Sequence, residues 1–284
     1  MARATYRPTS ESDLEAEHAI FCRAEGALLR AHAYEWSDPP VEAFVLYLRH
    51  LLTTDPERCF VAERDDRVVG FTAAIVRDDT WFFSMLFIDP DAQGQGIGGQ
   101  LFERAVAGAP SRRLTITDSI QPISNALYAR QGLIPTTPIL AFTGEPRMTK
   151  ADDLEPIDAT PSMLVALDRA AYGFDRAADH RYWGSRRSLT IWARGGDPIG
   201  YAYVAPDGSI GPLAGRDPTS SADTLRAELA RMPKAFVYVP GSARTLVATA
   251  LAGHLRIESP PGLLLTSDGV VPPTALAISS YGLY

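Results

Sequence analysis

Hydrophobic and polar positions change their period several times along the first half of the chain, and each change marks an element. Alternation over residues 4–8 predicts a short strand. After Ser10 and Ser12, apolar residues at helical spacing predict a helix over 14–30, with acidic residues in its first turn where they complement the helix dipole. A second helix, over 41–52, follows Pro39-Pro40. Three strands come next, at 59–64, 68–76 and 81–88, with Asp65-Asp66 and Asp78-Asp79 as hairpin-like turns between them. Beyond Asp89-Pro90-Asp91 and a cluster of glycines the pattern predicts a helix over 98–107, a strand over 114–117, and a helix over 123–131 capped by Gly132. A strand at 139–143 closes this half. The order is α/β (α+β), with an antiparallel beginning.

Residues 146–156 are polar, charged and poor in pattern, which places a linker between a domain at 1–145 and a second at 157–284. The second half repeats the first at low resolution. Gly200-Tyr-Ala-Tyr-Val mirrors Gly70-Phe-Thr-Ala-Ala, and Asp217-Pro218 before a helix mirrors Asp89-Pro90 before a helix. The strand at 235–239 and the helix ending at Gly253 mirror the strand from Leu114 and the helix ending at Gly132. The copies differ where chemistry would sit: Thr219-Ser220-Ser221-Ala222-Asp223 is shorter than its counterpart and lacks glycine, and Ala250 stands three residues before Gly253 where Tyr128 stands four before Gly132. The second half reads as a copy without the site.

Composition narrows the class. Hydrophobic residues make up 46% of 284 and charged residues 21%, so a packed core is expected rather than disorder. A net charge of −7, with basic residues clustered only in pairs such as Arg112-Arg113, argues against a nucleic-acid partner. Cys22 and Cys59 form no motif with the five histidines, so no metal site and no disulfide framework is read, and reduced thiols are expected. The N-terminus has no apolar core of a signal peptide, and no apolar run reaches spanning length, so no membrane association and a cytoplasmic location are expected.

The chemistry-bearing stretch is Gln93-Gly94-Gln95-Gly96-Ile97-Gly98-Gly99, between the strand ending at Ile88 and the following helix. The first N–H groups of a helix have no intrahelical partner and carry partial positive charge, and glycine lets the backbone approach a ligand closely, so such a turn can hold phosphate oxygens. Gly94, Gly96 and Gly99 also fit Gly-x-Gly-x-x-Gly of dinucleotide-binding folds, but those glycines follow the first strand directly, whereas here Asp89 to Gln93 and several elements precede. A Walker loop lacks its Gly-Lys-Ser/Thr, and a plain turn has little use for four glycines.

Leu86-Phe87-Ile88-Asp89-Pro90, then Gln93-x-x-Gly96-x-Gly98, then Leu127-Tyr128-x-x-x-Gly132 resembles, in this order, the GCN5-related N-acetyltransferases over about residues 4–145. The resemblance implies two tandem domains of acetyltransferase type, each a mixed, mostly antiparallel sheet flanked by helices. It implies acetyl-CoA as co-substrate, with the backbone of Gln93, Gly94, Gln95, Gly96, Ile97, Gly98 and Gly99 holding the pyrophosphate and Leu86, Phe87 and Ile88 pairing with the pantetheine arm and offering oxyanion donors. The family's Asn-x-x-Ala before the tyrosine is replaced by Gln121-x-x-Ser124, which keeps an amide at the first position with altered geometry. Tyr128 is the implied acid for the leaving thiolate, with a core role as its alternative. Candidates for the base are Ser84 and Asp118 near the strand ends, Glu25, His32 and Glu35 in the helical region, or a water chain. The run from Asp175 to Trp183 could line an acceptor pocket between the halves or form a solvated helix. The implied reaction is direct acetyl transfer to a primary amine of a small molecule or peptide, by a monomer or homodimer. A non-catalytic acyl-CoA sensor is the alternative.

Overall fold

A computed structural model describes residues 3–284. The chain forms two compact units, residues 1–115 with 120–127, and residues 116–119 with 128–284. The first unit begins with strand β1 (Thr5–Pro8), helices α1 (Leu14–Ala31) and α2 (Val41–Thr54), and strands β2 (Phe60–Arg64), β3 (Arg67–Arg77) and β4 (Thr80–Ile88). Helix α3 (Ile97–Val106), strand β5 (Arg112–Asp118) and helix α4 (Pro122–Arg130) follow. The strands lie in the order β1-β2-β3-β4-β5, antiparallel up to β4 and parallel between β4 and β5. The β2–β3 turn uses Asp65 and Asp66 at φ 52° and 57°, and the β3–β4 turn uses Asp78 at 48°. Asx side chains tolerate that left-handed backbone, which is why these pairs read as turns.

Helix α3 buries Ile97, Leu101, Phe102 and Ala105 against the sheet, one stripe of a 3.6-residue repeat. Phe102 packs on Phe83 at 4.9 Å between ring centroids, Phe83 stacks on Trp81 at 5.2 Å, and the Trp81 indole N–H donates to the Ala105 carbonyl at 3.1 Å. These contacts fix the direction of α3 along β4. Helices α1 and α2 cover the opposite side of the same strands, with Phe21 edge-on to Phe87 at 4.9 Å.

The second unit contains β6 (Ile134–Gly144), β7 (Leu154–Ile157), α5 (Pro161–Ala171), α6 (Ala177–Gly184), β8 (Ser188–Arg194), β9 (Asp197–Val204) and β10 (Ser209–Gly215). It continues with α7 (Pro218–Leu229), β11 (Ala235–Pro240), α8 (Arg244–Ala252), β12 (Arg256–Ile257), β13 (Gly262–Thr266) and β14 (Leu276–Ala277). Strands β7 to β11 repeat the order of β1 to β5, antiparallel and then parallel between β10 and β11. Each unit is thus a mixed, mostly antiparallel sheet with helices, as the internal repeat suggests. The strand expected to close the first half exists as β6, but its ladders run to β11, β12 and β13 of the second unit. A strand's own pattern states which face is buried and not which neighbour it pairs with.

Candidate functional site

The site is built where β4 changes its partners. The β4–β5 ladder runs from Thr80–Arg112 to Phe83–Thr115. Strand β4 then continues to Ile88 in register with β3. At the end of that ladder the β3–β4 register slips: Ala73 faces Met85 while Ala74 faces Phe83, leaving Ser84 as the extra residue of a β-bulge. Bulges twist a strand and end local pairing. The effect here is to turn the Leu86–Ile88 backbone away from the β5 ladder, at the place the resemblance assigns to a thioester.

Past Ile88, Asp89 anchors the turn into α3. Its carboxylate accepts the Asp91 N–H at 3.1 Å and the Arg23 guanidinium at 2.6 and 3.2 Å. The Gln93 side chain donates back to the Ile88 carbonyl at 3.1 Å, and the side-chain amide oxygen of Gln95 accepts a hydrogen bond from Arg64 at 2.7 Å. Gly96, at φ 80°, is the N-cap of α3 and so supplies no side-chain acceptor. The first N–H groups of α3 therefore open into an exposed turn, with the Arg64 guanidinium beside it.

Why the turn is so rich in glycine can be separated position by position. Gly94 and Gly96 have φ of 75° and 80°, a backbone that other residues adopt only at a cost of roughly 1–2 kcal/mol. Gly98 and Gly99 carry no such requirement, since they lie in the first turn of α3 without positive φ. A methyl on Gly98 would meet Ile88 Cγ1 and Leu86 Cδ2 at an ordinary 3.8 Å, and one on Gly99 would meet nothing within 4 Å. Alanine there would favour the helix by about 1 kcal/mol. Folding gives no reason for these two glycines, whereas close approach of a ligand to the backbone does.

The structure brings Ser84, Leu86, Phe87, Ile88 and Gln93 through Gly99 together in the first unit. Gln121 and Ser124 belong to that unit too: the Gln121 side-chain oxygen accepts the Ile123 N–H at 3.3 Å and its backbone carbonyl accepts from Asn125, so it starts α4. Asp118, the last residue of β5, and Tyr128, buried on α4, belong to the second unit. His32 at the end of α1 pairs with its own Leu28 carbonyl at 2.9 Å, and Glu35 is exposed in the following segment. Ser84 has a partner the sequence reading missed: the Tyr47 hydroxyl, from α2, lies 2.6 Å from its Oγ. Tyr47 is one apolar-face residue among several on an amphipathic helix, so no pattern singles it out.

Neither cysteine is set up as a nucleophile. Burial and the neighbouring Asp38 push the Cys22 thiol up to about 11, and burial raises Cys59 as well. Among the described residues no cluster of histidine, cysteine and carboxylate side chains could hold a metal, and no helix is long and apolar enough to cross a membrane.

The corresponding helix of the second unit is closed. Asp217 caps α7, its carboxylate accepting both the backbone N–H and the hydroxyl of Ser220 at 2.8 Å. Its carboxyl is held below the ordinary value: burial opposes ionisation, and the Ser220 hydrogen bonds outweigh it. The helix lies so close on the sheet that a Cβ on Gly215 would meet Ser221 N at 2.3 Å, and one on Gly200 would meet Thr224 Oγ1 at 2.3 Å. A negative side chain occupies the position where the first unit presents bare amides.

The run from Asp175 to Trp183 is a helix with one buried and one solvent-facing side. Arg176, Asp179, His180 and Trp183 are buried within the second unit. Asp168 Oδ1 accepts from Arg176 at 2.9 Å and from the Tyr201 hydroxyl at 2.5 Å, while Oδ2 pairs with His180 Nε2 at 2.8 Å. Arg176 also donates to the Tyr284 carbonyl at 2.9 Å, and its guanidinium lies 3.4 Å from the Tyr172 ring centroid. A buried charge needs such partners to be tolerated.

These features define an acetyltransferase-type domain followed by a second of the same architecture. Residues 22–133 match the Acetyltransferase (GNAT) family model. A protein of Archaeoglobus fulgidus named "uncharacterized N-acetyltransferase" is 33% identical over 82 residues, which cover 25% of this chain and 54% of the relative. The chain thus spans about half the length of that curated relative. The fold matches that of a Pyrococcus horikoshii protein, with a TM-score of 0.81 at 15% identity, covering 100% of this chain and 97% of the other. It also matches a tandem GNAT protein from the clavulanic acid biosynthesis pathway, with a TM-score of 0.58 at 14% identity, covering 93% and 98%.

Proposed function

We propose that the protein binds acetyl-CoA at the glycine-rich turn of its first unit and transfers the acetyl group directly to a primary amine of a small molecule or peptide. The observation that carries this reading is the pair Gly98 and Gly99, glycines that the helix does not need, in the first turn of a helix whose N-cap has no side chain to fill it. In this reading the amides from Gly94 to Gly99 take the pyrophosphate, with Arg64 adding charge, and the backbone of Leu86–Ile88 pairs with the pantetheine arm.

Chemistry then asks for three things. A lysine-like amine of pKa ~10.4 must lose a proton before it attacks, at a cost of about 4–5 kcal/mol at pH 7. The developing oxyanion needs donors, for which the β4 backbone beyond the bulge is suited. The departing thiolate needs a proton, which the tyrosine motif assigns to Tyr128. The second unit, with Asp217 in its helix cap, takes no part in cofactor binding.

Calorimetric titration with acetyl-CoA, followed by thiol release on a panel of amines, tests the proposal. Binding with turnover supports it. Binding without turnover on any amine would mark a sensor instead, and absence of binding would refute the site.

A further inference from the structure

Asp89 serves the turn by its shape and opposes the proposed ligand by its charge. One oxygen of its carboxylate accepts the Asp91 N–H at 3.1 Å, which caps the short turn Pro90–Ala92. That turn runs directly into Gln93 and the glycines read as the pyrophosphate site. A carboxylate so placed repels a diphosphate unless its charge is offset.

The second oxygen of Asp89 accepts two N–H groups of one guanidinium, Arg23 Nε at 3.2 Å and Nη2 at 2.6 Å. Arg23 stands 66 residues earlier in the chain, on α1, which packs against β4 and against the same turn. The Arg23 side chain is 47% exposed and that of Asp89 12%. An ion pair at the edge of solvent adds little to stability, so holding the fold together is a weak reason for this arginine. The second unit gives the comparison. There Asp217 turns both carboxylate oxygens onto Ser220 and closes its own helix start, and the arginine beside it, at 3.5 Å, is its chain neighbour Arg216.

We propose that Arg23 is a positioning residue of the cofactor site: by pairing with Asp89 it lets that carboxylate shape the turn while cancelling its charge, so that the open start of α3 accepts the diphosphate. The assignment rests on the cofactor half of the function proposed above and not on acetyl transfer. It adds a residue of α1 to a site otherwise built from β4, the turn and α3.

The test measures calorimetric affinity for acetyl-CoA in the wild type, Arg23→Gln, Arg23→Lys, Asp89→Asn and the Arg23→Gln/Asp89→Asn double variant, each also unfolded in urea. Affinity is read at about 0.01 M and about 1 M salt, where charges are screened over roughly 30 and 3 Å. Arg23→Gln should weaken binding about threefold to tenfold at low salt, and the factor should shrink toward one at high salt. Arg23→Lys keeps the charge and should keep most of the affinity. Asparagine at 89 keeps an oxygen for the Asp91 N–H and drops the charge, so the double variant should regain most of what Arg23→Gln loses. Unchanged affinity in Arg23→Gln would overturn the inference, as would a loss of the same size at both salt concentrations or one that follows a fall in the urea midpoint. A double variant no better than Arg23→Gln would also overturn it, because Arg23 would then tether the turn or touch the ligand itself. A wild-type protein that binds no acetyl-CoA would overturn the function beneath as well.

Discussion

Glu17 carries a pH dependence that can be worked from its surroundings. It lies on the inner face of α1, 2% exposed, with the Thr9 hydroxyl donating to Oε1 at 3.0 Å. Burial pushes its carboxyl up to about 8, against a small opposing effect of the Thr9 hydrogen bond. In the unfolded chain the same group titrates at its ordinary value of 4.5. Below that value the group is neutral in both states and costs nothing. Between there and about 8 the unfolded chain releases a proton that the folded chain keeps, so stability falls as pH rises, and above about 8 the loss is complete. At 1.36 kcal/mol per unit, the cost at pH 7 is about 3 kcal/mol. Glu17→Gln removes the titration and keeps the shape and the acceptor for Thr9. Urea unfolding of both proteins at pH 5 and pH 8, followed in the first unit, should show the variant gaining on the wild type by about 3 kcal/mol across that interval. A difference between the two proteins that does not change with pH would refute the reasoning, because it would mean that Glu17 is ionised in the folded state.

Gly98→Ala should stabilise the first unit by up to about 1 kcal/mol while weakening acetyl-CoA binding by about tenfold or more, opposite signs that unfolding and calorimetry read separately. Tyr128→Phe should lower kcat by a factor of about 100 with little change in cofactor affinity, as expected for loss of a general acid, and an unchanged kcat would remove that role. Asp217→Ala should cost the second unit about 1 kcal/mol through loss of the α7 cap and should add no second acetyl-CoA site to a titration.

What the sequence made legible was local. Helix α1 at Leu14–Ala31 and strand β3 at Arg67–Arg77 fall within a residue or two of 14–30 and 68–76, because amphipathic periodicity and paired aspartates act over a few residues. The glycine-rich turn was legible for the same reason, since Asp-Pro and spaced glycines are requirements of one segment of backbone. Partnerships were not legible. The neighbours of β6, the contact of Tyr47 with Ser84, and the burial of Arg176 against Asp168 all join residues far apart in the chain. Arg176 and His180 show why side-chain type alone misleads here: the same letters that suggest a ligand pocket also make a buried network with Asp168, Tyr201 and Tyr203, residues that the local pattern does not connect.

The two units put the same helix terminus to opposite uses. In both, a strand ends at an Asp-Pro pair and a helix follows, so both begin with unpaired N–H groups that need an acceptor. In the second unit the aspartate itself is the N-cap, and the turn is short enough for its carboxylate to fold back onto Ser220. In the first, the aspartate caps only a short turn, Pro90–Ala92, and four further residues separate that turn from α3. The spacing takes Asp89 away from the helix and leaves Gly96 in its place. A few residues of chain therefore decide whether the helix start is capped from within or left with a glycine at its N-cap, and in the proposed function the open terminus takes the pyrophosphate while Gly98 and Gly99 keep the approach to it open.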